Sequence, residues 1–328
     1  MAASGGTTSA MAIAGLEKGR FDGVLVCNTV IKEGKVRSRF SIATTAAEIL
    51  AARGSKYVES RFLQEALPLI RNFRGRLAVI GLPCDIAGLR RRCDKEPELA
   101  GKVVLTITLL CGHNSRVELI DEITARLQRE TGQELVNYRF RVGHWRGRLE
   151  AVFADGSVIS KPTEYFNDYQ NLHFFSERKC LACHDHFGYE ADISVGDVWL
   201  FRLKNDPVKH TGVIIRTHRG DEVFRLAVGC GAVQASELDI RDILNGQARS
   251  APAHYNLSAK AKAAKLFNIQ INDTVNQKIP WHAYLNALMT VGNMRLSEKD
   301  WGKTIIFRTP RFGLKFYLYL KKALESFK

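Results

Sequence analysis

No stretch of this 328-residue chain is apolar for long enough to span a bilayer. The opening residues, MAASGGTTSAMAIAGLEKGR, lack a basic segment ahead of an apolar one, so no secretory signal is expected. Internal repeats and low-complexity tracts are missing too. These absences predict a cytoplasmic protein, with contact at a membrane periphery the one membrane role left open. An even set of cysteines is also lacking: there are seven. An odd number in a reducing compartment argues against a disulfide framework. Clustered cysteines there suggest metal, cluster or redox chemistry, although a free buried thiol is the plain reading of each one singly.

Positive charge is abundant and unevenly placed. Of the net +14, a surplus of 10 lies in residues 249–328, which hold 14 Lys and Arg against 4 acids. Such a tail suits an anionic partner: an acidic protein, a membrane surface or, least favoured, a nucleic acid. Phe312, Phe316, Leu320 and Leu324 recur at helical spacing among Lys315, Lys321 and Lys322, a pattern that could lie on an anionic membrane. Core packing or a partner interface accounts for it as well.

The length allows two domains and a full core. Strands expected at 21–27, 76–81 and 102–110 alternate with helices at 4–17, 43–53, 60–72 and 115–131. Their continuous apolar runs predict an α/β layer with a mixed, largely parallel sheet. After Gly132 short strands follow at 138–142, 149–153 and 157–160, the last two joined by the turn signal Asp155-Gly156. A strand within 191–200, another at 213–217 and a helix at 221–228 come next, then basic helices. The expected parts are therefore an α/β part at 1–134, a smaller α+β part at 135–245 and a helical extension at 246–328.

In an open parallel sheet, ligands bind beyond the carboxyl ends of the strands. Cys27, Cys84 and Cys111 each lie at the carboxyl end of an expected strand, and Cys180-Leu181-Ala182-Cys183 supplies a turn that can aim two sulfurs at one site. Cys93 and Cys230 lack such placement. Four sulfurs suit zinc or an iron–sulfur cluster, and spacing alone does not choose between these or between the five candidates. Cys180 to His184 also matches the c-type haem pattern CxxCH, but that attachment requires export. His184 and His186 are read as polar loop residues or as donors beside the site.

The motifs taken together are more specific. They are Ala3-Ser4-Gly5-Gly6 opening a helix, Asp22-Gly23-Val24, Gly81-Leu82-Pro83-Cys84, Leu110-Cys111-Gly112 and Tyr138-Arg139-Phe140-Arg141 with Trp145. Lys179-Cys180 with Cys183 and Asp185, then Ala191 to Asp197 (ADISVGD) and Ile214 to Thr217 with Gly220, complete the series. In order and spacing, over about residues 3–245, the chain resembles the beta-subunit family of coenzyme F420-reducing hydrogenases and F420-dependent formate dehydrogenases. That family is similar in turn to ferredoxin-dependent chlorophyllide reductases.

The resemblance implies an oxidoreductase that binds FAD and a [4Fe-4S] cluster. Its implied cluster ligands are Cys84, Cys111, Cys180 and Cys183, which leaves Cys27 as a small buried residue. Its implied flavin site is the helix start at Ser4, Gly5, Gly6 and Thr7, where backbone N–H groups and the helix dipole favour phosphate. Arg139, Arg141, Arg146 and Arg148 are candidates for a pyrophosphate or anionic substrate, and Asp192 and Asp197 for orienting flavin or cluster-loop groups. Electrons would pass between flavin and cluster, with the deazaflavin coenzyme F420, ferredoxin or another oxidoreductase subunit as partner. No acid–base pair can be assigned. The competing readings are a non-catalytic four-cysteine zinc protein and an accessory protein, for example in cell-surface polysaccharide biosynthesis. The region after 245 carries no motif of the family.

Overall fold

A computed structural model describes residues 6–248, 250–254 and 256–327. Its first element, α1 (Thr7–Glu17), leads into β1 (Gly23–Lys32), which folds back as β2 (Lys35–Ala43). Glu33 and Gly34 between them have φ of 52° and 65°, the left-handed pair that a two-residue hairpin requires. The sequence reading stops the first strand at Cys27 and gives β2 no place, because Lys and Glu obscure that turn. α2 (Ala46–Ala51) and α3 (Phe62–Asn72) precede β3 (Leu77–Gly81). α4 (Pro83–Cys93), α5 (Pro97–Lys102), β4 (Val103–Leu109) and α6 (Val117–Thr131) follow.

The chain then forms β5 (Leu135–Val142), β6 (Arg148–Phe153) and β7 (Val158–Pro162), an antiparallel three-stranded sheet of its own. The hairpin turn expected at Asp155-Gly156 is present, with Val152 opposite Val158. Asp155 Oδ1 accepts the Ser157 N–H at 2.9 Å, which closes the turn. After α7 (Glu164–Asn171) and α8 (Arg178–Leu181), the chain returns to the first sheet as β8 (Ile193–Asp197) and β9 (Thr211–Ile215). α9 (His218–Gly229) and α10 (Ile240–Gly246) come next. The small sheet thus lies wholly beyond residue 134, and β8 and β9, which follow it in the chain, complete the large one.

The large sheet has the order β2-β1-β3-β4-β8-β9. β1, β3, β4 and β8 run parallel and the edge strands β2 and β9 antiparallel, as the fold class predicts. Alternation along each strand fills two layers. Val24, Val26 and Ile107 face a core with Met11 of α1 and Val223 of α9. Leu25, Val79 and Val103 face the opposite one with Phe62 and Ile70 of α3 and Leu89 of α4. A face covered on both sides explains why these strands read as continuous apolar runs.

The extension is helical, as expected: α11 (Leu257–Lys265), α12 (Trp281–Leu296), α13 (Asp300–Arg308) and α14 (Arg311–Ser326). It is not an appendage. Ile306 and Leu314 join the core of the small sheet beside Tyr138, Phe140 and Phe153. Ala259, Ala263, Val291 and Met294 form a further core that encloses Leu181, one of the two residues between the cysteines of the CxxC turn.

Candidate redox site

A cavity of about 300 Å³ opens at the carboxyl ends of the four parallel strands. Val26, Ile80, Leu109 and Val195, one from each of β1, β3, β4 and β8, give it an apolar floor. The start of α1 forms part of its wall through Gly6, Thr7, Thr8 and Ser9. Gly6 caps this helix at φ 82°, a conformation that disfavours any residue with a Cβ, and among the described residues no side chain caps the N-terminal amides. Expected flavin residues Gly6 and Thr7 therefore line the cavity, while Ser4 and Gly5 lie outside the described residues.

Cationic groups meet the same space. Lys56 is among the cavity residues, and its ammonium donates to the carbonyls of Ala52 and Gly54. Burial pulls it down to about 8 from the ordinary 10.5, with Cys27 opposing the shift. Arg141 of β5 also lines the cavity and holds Asp197, at the end of β8, in a two-pronged ion pair of 2.6 and 3.0 Å. Its guanidinium lies 5.1 Å from the centre of the Trp199 ring.

The four cysteines singled out by resemblance approach one another next to this cavity from three places in the chain. Cys84 follows Pro83 in the first turn of α4, Cys111 lies just beyond β4, and Cys180 and Cys183 sit in and after α8. Each thiol feels the others. Cys84 is exposed as a residue, yet the protein packed around its thiol pushes it up to about 12, with Asp85, Cys180 and Cys183 adding to the rise. Cys180 is pushed up to about 12, first by burial and then by neighbours that include Glu177 and Cys183. Burial also raises Cys183, and it raises Cys111 strongly, with Cys180, Cys84 and Cys183 behind it. Thiolates that repel one another are unfavourable alone and are stabilised by a bound cation. Among the described residues, no three His, Cys, Asp or Glu side chains are grouped so as to hold a single metal ion.

Cys111 belongs to both features, since it also borders the cavity. Cys27 lines the cavity as well, but it lies within β1, and burial first, then Asp85 and Glu65, push its thiol up to about 11. Cys93 and Cys230 lie on α4 and at the end of α9, away from the motifs that carry the four.

Groups from outside the cysteine motifs brace the cysteine loops. The Asn114 N–H donates to Cys180 Sγ at 3.4 Å. His254 Nε2 donates to the Cys111 carbonyl at 2.7 Å, and Lys260 Nζ donates to the Cys183 carbonyl at 3.3 Å. Both come from the extension. His186 Nδ1 lies 2.9 Å from the same Cys111 carbonyl, so this histidine stands beside the site whereas His184 is exposed. His113 and His173 stack with ring centres 4.2 Å apart, and burial holds His113 near 3. Only the surplus of basic residues after 245 could have drawn attention to His254 and Lys260, and it gave no hint of their target.

Four expected anion or cofactor contacts lie elsewhere. Arg139 is exposed on the small sheet and pairs with Glu150 across the strands. Arg148 donates to Ser160, and Arg146 stands 3.9 Å from Glu164. Asp192 is wholly buried just ahead of β8, at the end of the sheet opposite the cavity. It accepts from Thr106 N–H and hydroxyl, Arg90, Thr217 and Arg219 at 2.7–3.0 Å. Its role there is to tie β4, β8, α4 and α9 together.

Comparison with known proteins matches two family profiles of the coenzyme F420 hydrogenase/dehydrogenase beta subunit, the N-terminal one at residues 1–66 and the C-terminal one at residues 74–241. Coenzyme F420 hydrogenase subunit beta of Methanosarcina barkeri, strain Fusaro, is 26% identical over 243 residues, which cover 73% of this chain and 77% of that protein. The subunit of the same name from Methanococcus voltae is 25% identical over 243 residues, or 73% and 79% of the two chains. An uncharacterized protein of Nostoc sp. PCC 7120 is 26% identical over 264 residues, 80% of this chain and 60% of that one. A chain in the xenon-derivatized F420-reducing [NiFe] hydrogenase complex of Methanosarcina barkeri shares the fold, with a TM-score of 0.59 and 22% identity over 83% of this chain and 90% of that one.

Proposed function

The chain belongs to the coenzyme F420 hydrogenase/dehydrogenase beta-subunit family, and from that premise we propose that it is an iron–sulfur flavoprotein oxidoreductase. The observation that carries the reading is the convergence of Cys84, Cys111, Cys180 and Cys183 beside a cavity that Cys111 also lines. These four residues would ligate a [4Fe-4S] cluster. Their mutual repulsion as thiolates and their origin in three places in the chain fit a cationic cluster. FAD would occupy the cavity, with its phosphates toward the N-terminal amides of α1 and the Lys56 ammonium, and its ring on the apolar strand ends. The hydrogen-bonding amides, the nearby cation and the apolar floor are the donor set such a molecule needs.

The flavin, when bound, supplies two-electron exchange on one side and one-electron exchange with the cluster on the other. The chain's own residues hold the geometry. The Arg141–Asp197 pair fixes the cavity rim, Asn114 directs an amide at Cys180, and His254 and Lys260 fix the carbonyls of Cys111 and Cys183. Coenzyme F420 is the diffusible partner proposed by analogy with the relatives named for it, and ferredoxin or a second oxidoreductase subunit the one-electron partner.

Anaerobic purification with iron, sulfide and flavin measured on one sample tests the reading. About four irons, four sulfides and one flavin per chain are expected from the cluster type. Cys180→Ala should lose iron and sulfide and keep the fold. Zinc in place of iron, or a Cys180→Ala protein with undiminished iron and sulfide, would overturn it.

A further inference from the structure

We propose that α13 and α14 form an interfacial platform that docks the protein on an anionic phospholipid surface. The inner side of α14 is already satisfied. Leu314, Tyr317 and Leu318 pack into the small-sheet core, and Lys321 is buried against Asn286 and Glu325. A second apolar stripe remains on the outer side, at the helical spacing 312, 316, 319 and 320. Phe312 is 78% exposed, Phe316 and Tyr319 are each 73% exposed, and Leu320 is half exposed. α13 repeats the arrangement: Gly302 and Ile306 are buried while Trp301 and Ile305, one turn apart, face solvent. Large aromatic groups rarely cluster on a free surface without a partner.

The charges choose the occupant. Arg308, Arg311 and Lys315 are exposed beside the aromatic stripe. Residues 300–327 hold six Lys or Arg against two acids, and one of those acids, Glu325, is enclosed by Lys321 and Lys322. A second copy docked face to face would set these cations against themselves. Aromatic rings flanked by cations instead match the boundary of an anionic bilayer, where rings enter the headgroup layer and basic side chains meet lipid phosphate. Among the described residues no helix is long and apolar enough to cross a membrane, so the contact proposed is in the plane of the surface. The inference stands apart from the redox reading, because none of these side chains lines the cavity.

The test is flotation of the full-length protein with vesicles of phosphatidylcholine alone and of phosphatidylcholine mixed with phosphatidylglycerol. Recovery with the mixed vesicles only, reduced by salt, is expected. Phe312→Ser with Phe316→Ser should lower partitioning about tenfold or more, from the transfer free energy of two rings. Lys315→Glu with Arg308→Glu should lower it too. These positions are exposed, so the circular dichroism and thermal unfolding of the variants should match the parent. Equal recovery of parent and variants, or no recovery of the parent with mixed vesicles, overturns the proposal. A dimer in sedimentation velocity that Phe316→Ser dissociates would assign the face to a second copy. Binding of an acidic redox protein through this face in place of vesicles would assign it to a protein partner.

Discussion

His254 Nε2 lies 2.7 Å from the carbonyl oxygen of Cys111, 143 residues earlier in the chain. A carbonyl only accepts, so Nε2 carries the proton. The other ring nitrogen faces the Cys183 carbonyl at 3.3 Å. Burial, then Lys260 and His186, draw this histidine down to about 4, so near neutrality it has one proton and gives it to Cys111. The extension thus holds two of the proposed ligand loops from outside the region matched by the family profiles.

His254→Ala should therefore loosen cluster retention without abolishing assembly. The variant loses one net hydrogen bond, about 1 kcal/mol, and leaves the Cys111 carbonyl with His186 as its remaining side-chain neighbour. Iron content after anaerobic purification should stay near that of the parent, while bleaching of the visible absorbance in air should quicken several-fold. His254→Gln, which restores a donor, should recover part of the difference. Unchanged bleaching in His254→Ala would show that the contact does not hold the loop.

Asp192 serves the fold. Burial opposes its ionisation, and hydrogen bonds from Thr106, Arg219 and Thr217 more than offset that, holding its carboxyl below the ordinary 3.8. Its contribution to stability is therefore complete above pH 3.8 and is lost as pH falls through the lower folded value. Asp192→Ala leaves Thr106, Arg90 and Arg219 without their shared acceptor and should cost about 3–5 kcal/mol in urea unfolding at pH 7. The cost should shrink below pH 3.8. Flavin content should fall only as far as the fold does, since the residue lies away from the cavity.

Lys56 has the opposite pH signature. Burial depresses its folded value to about 8 from 10.5, so at pH 7 the ligand-free fold bears the full cost of a buried ammonium. That cost is relieved as pH rises from about 8 to 10.5, where the unfolded chain still binds the proton that the fold has released. Lys56→Met should stabilise ligand-free protein at pH 7 by about 1–3 kcal/mol, and the gain should vanish toward pH 10.5. The same change should weaken flavin retention if the ammonium meets its phosphates. A destabilised Lys56→Met at pH 7 would contradict the account.

The large sheet was legible because its central strands are covered on both faces and so read as unbroken Val, Ile and Leu runs. β2 was not legible: its sequence KVRSRFSIA is an edge strand of alternating polarity behind a Glu-Gly turn. α4 escaped notice because Pro83 reads as an end, although it occupies the first helical position, where a missing N–H costs nothing. In the site, Cys84, Cys111, Cys180 and Cys183 were named only through the whole series of motifs, since spacing also admitted Cys27. Asp192 and Arg139 sit in motif segments but point away from the cavity. Asp192 lies at the far end of the large sheet and Arg139 on the small one, placements that sequence order alone does not give. Lys56, His254 and Lys260 come from segments with no motif, brought to the site by tertiary packing.

Arg141 offers the sharpest separation of charge from shape. It is buried, and Asp197 more than restores a charge that burial works against. Arg141→Lys keeps the charge but gives up the planar fork and the stacking on Trp199. A single ammonium cannot span both Asp197 oxygens in that geometry. The variant should lose about 1–3 kcal/mol of stability in urea unfolding. If the pair shapes the cavity rim, flavin affinity should fall further than stability accounts for, while iron and sulfide content at Cys84, Cys111, Cys180 and Cys183 stays that of the parent. Parallel loss of flavin and iron would instead mean that the pair supports the fold as a whole, and unchanged flavin affinity would remove Arg141 from the cofactor site.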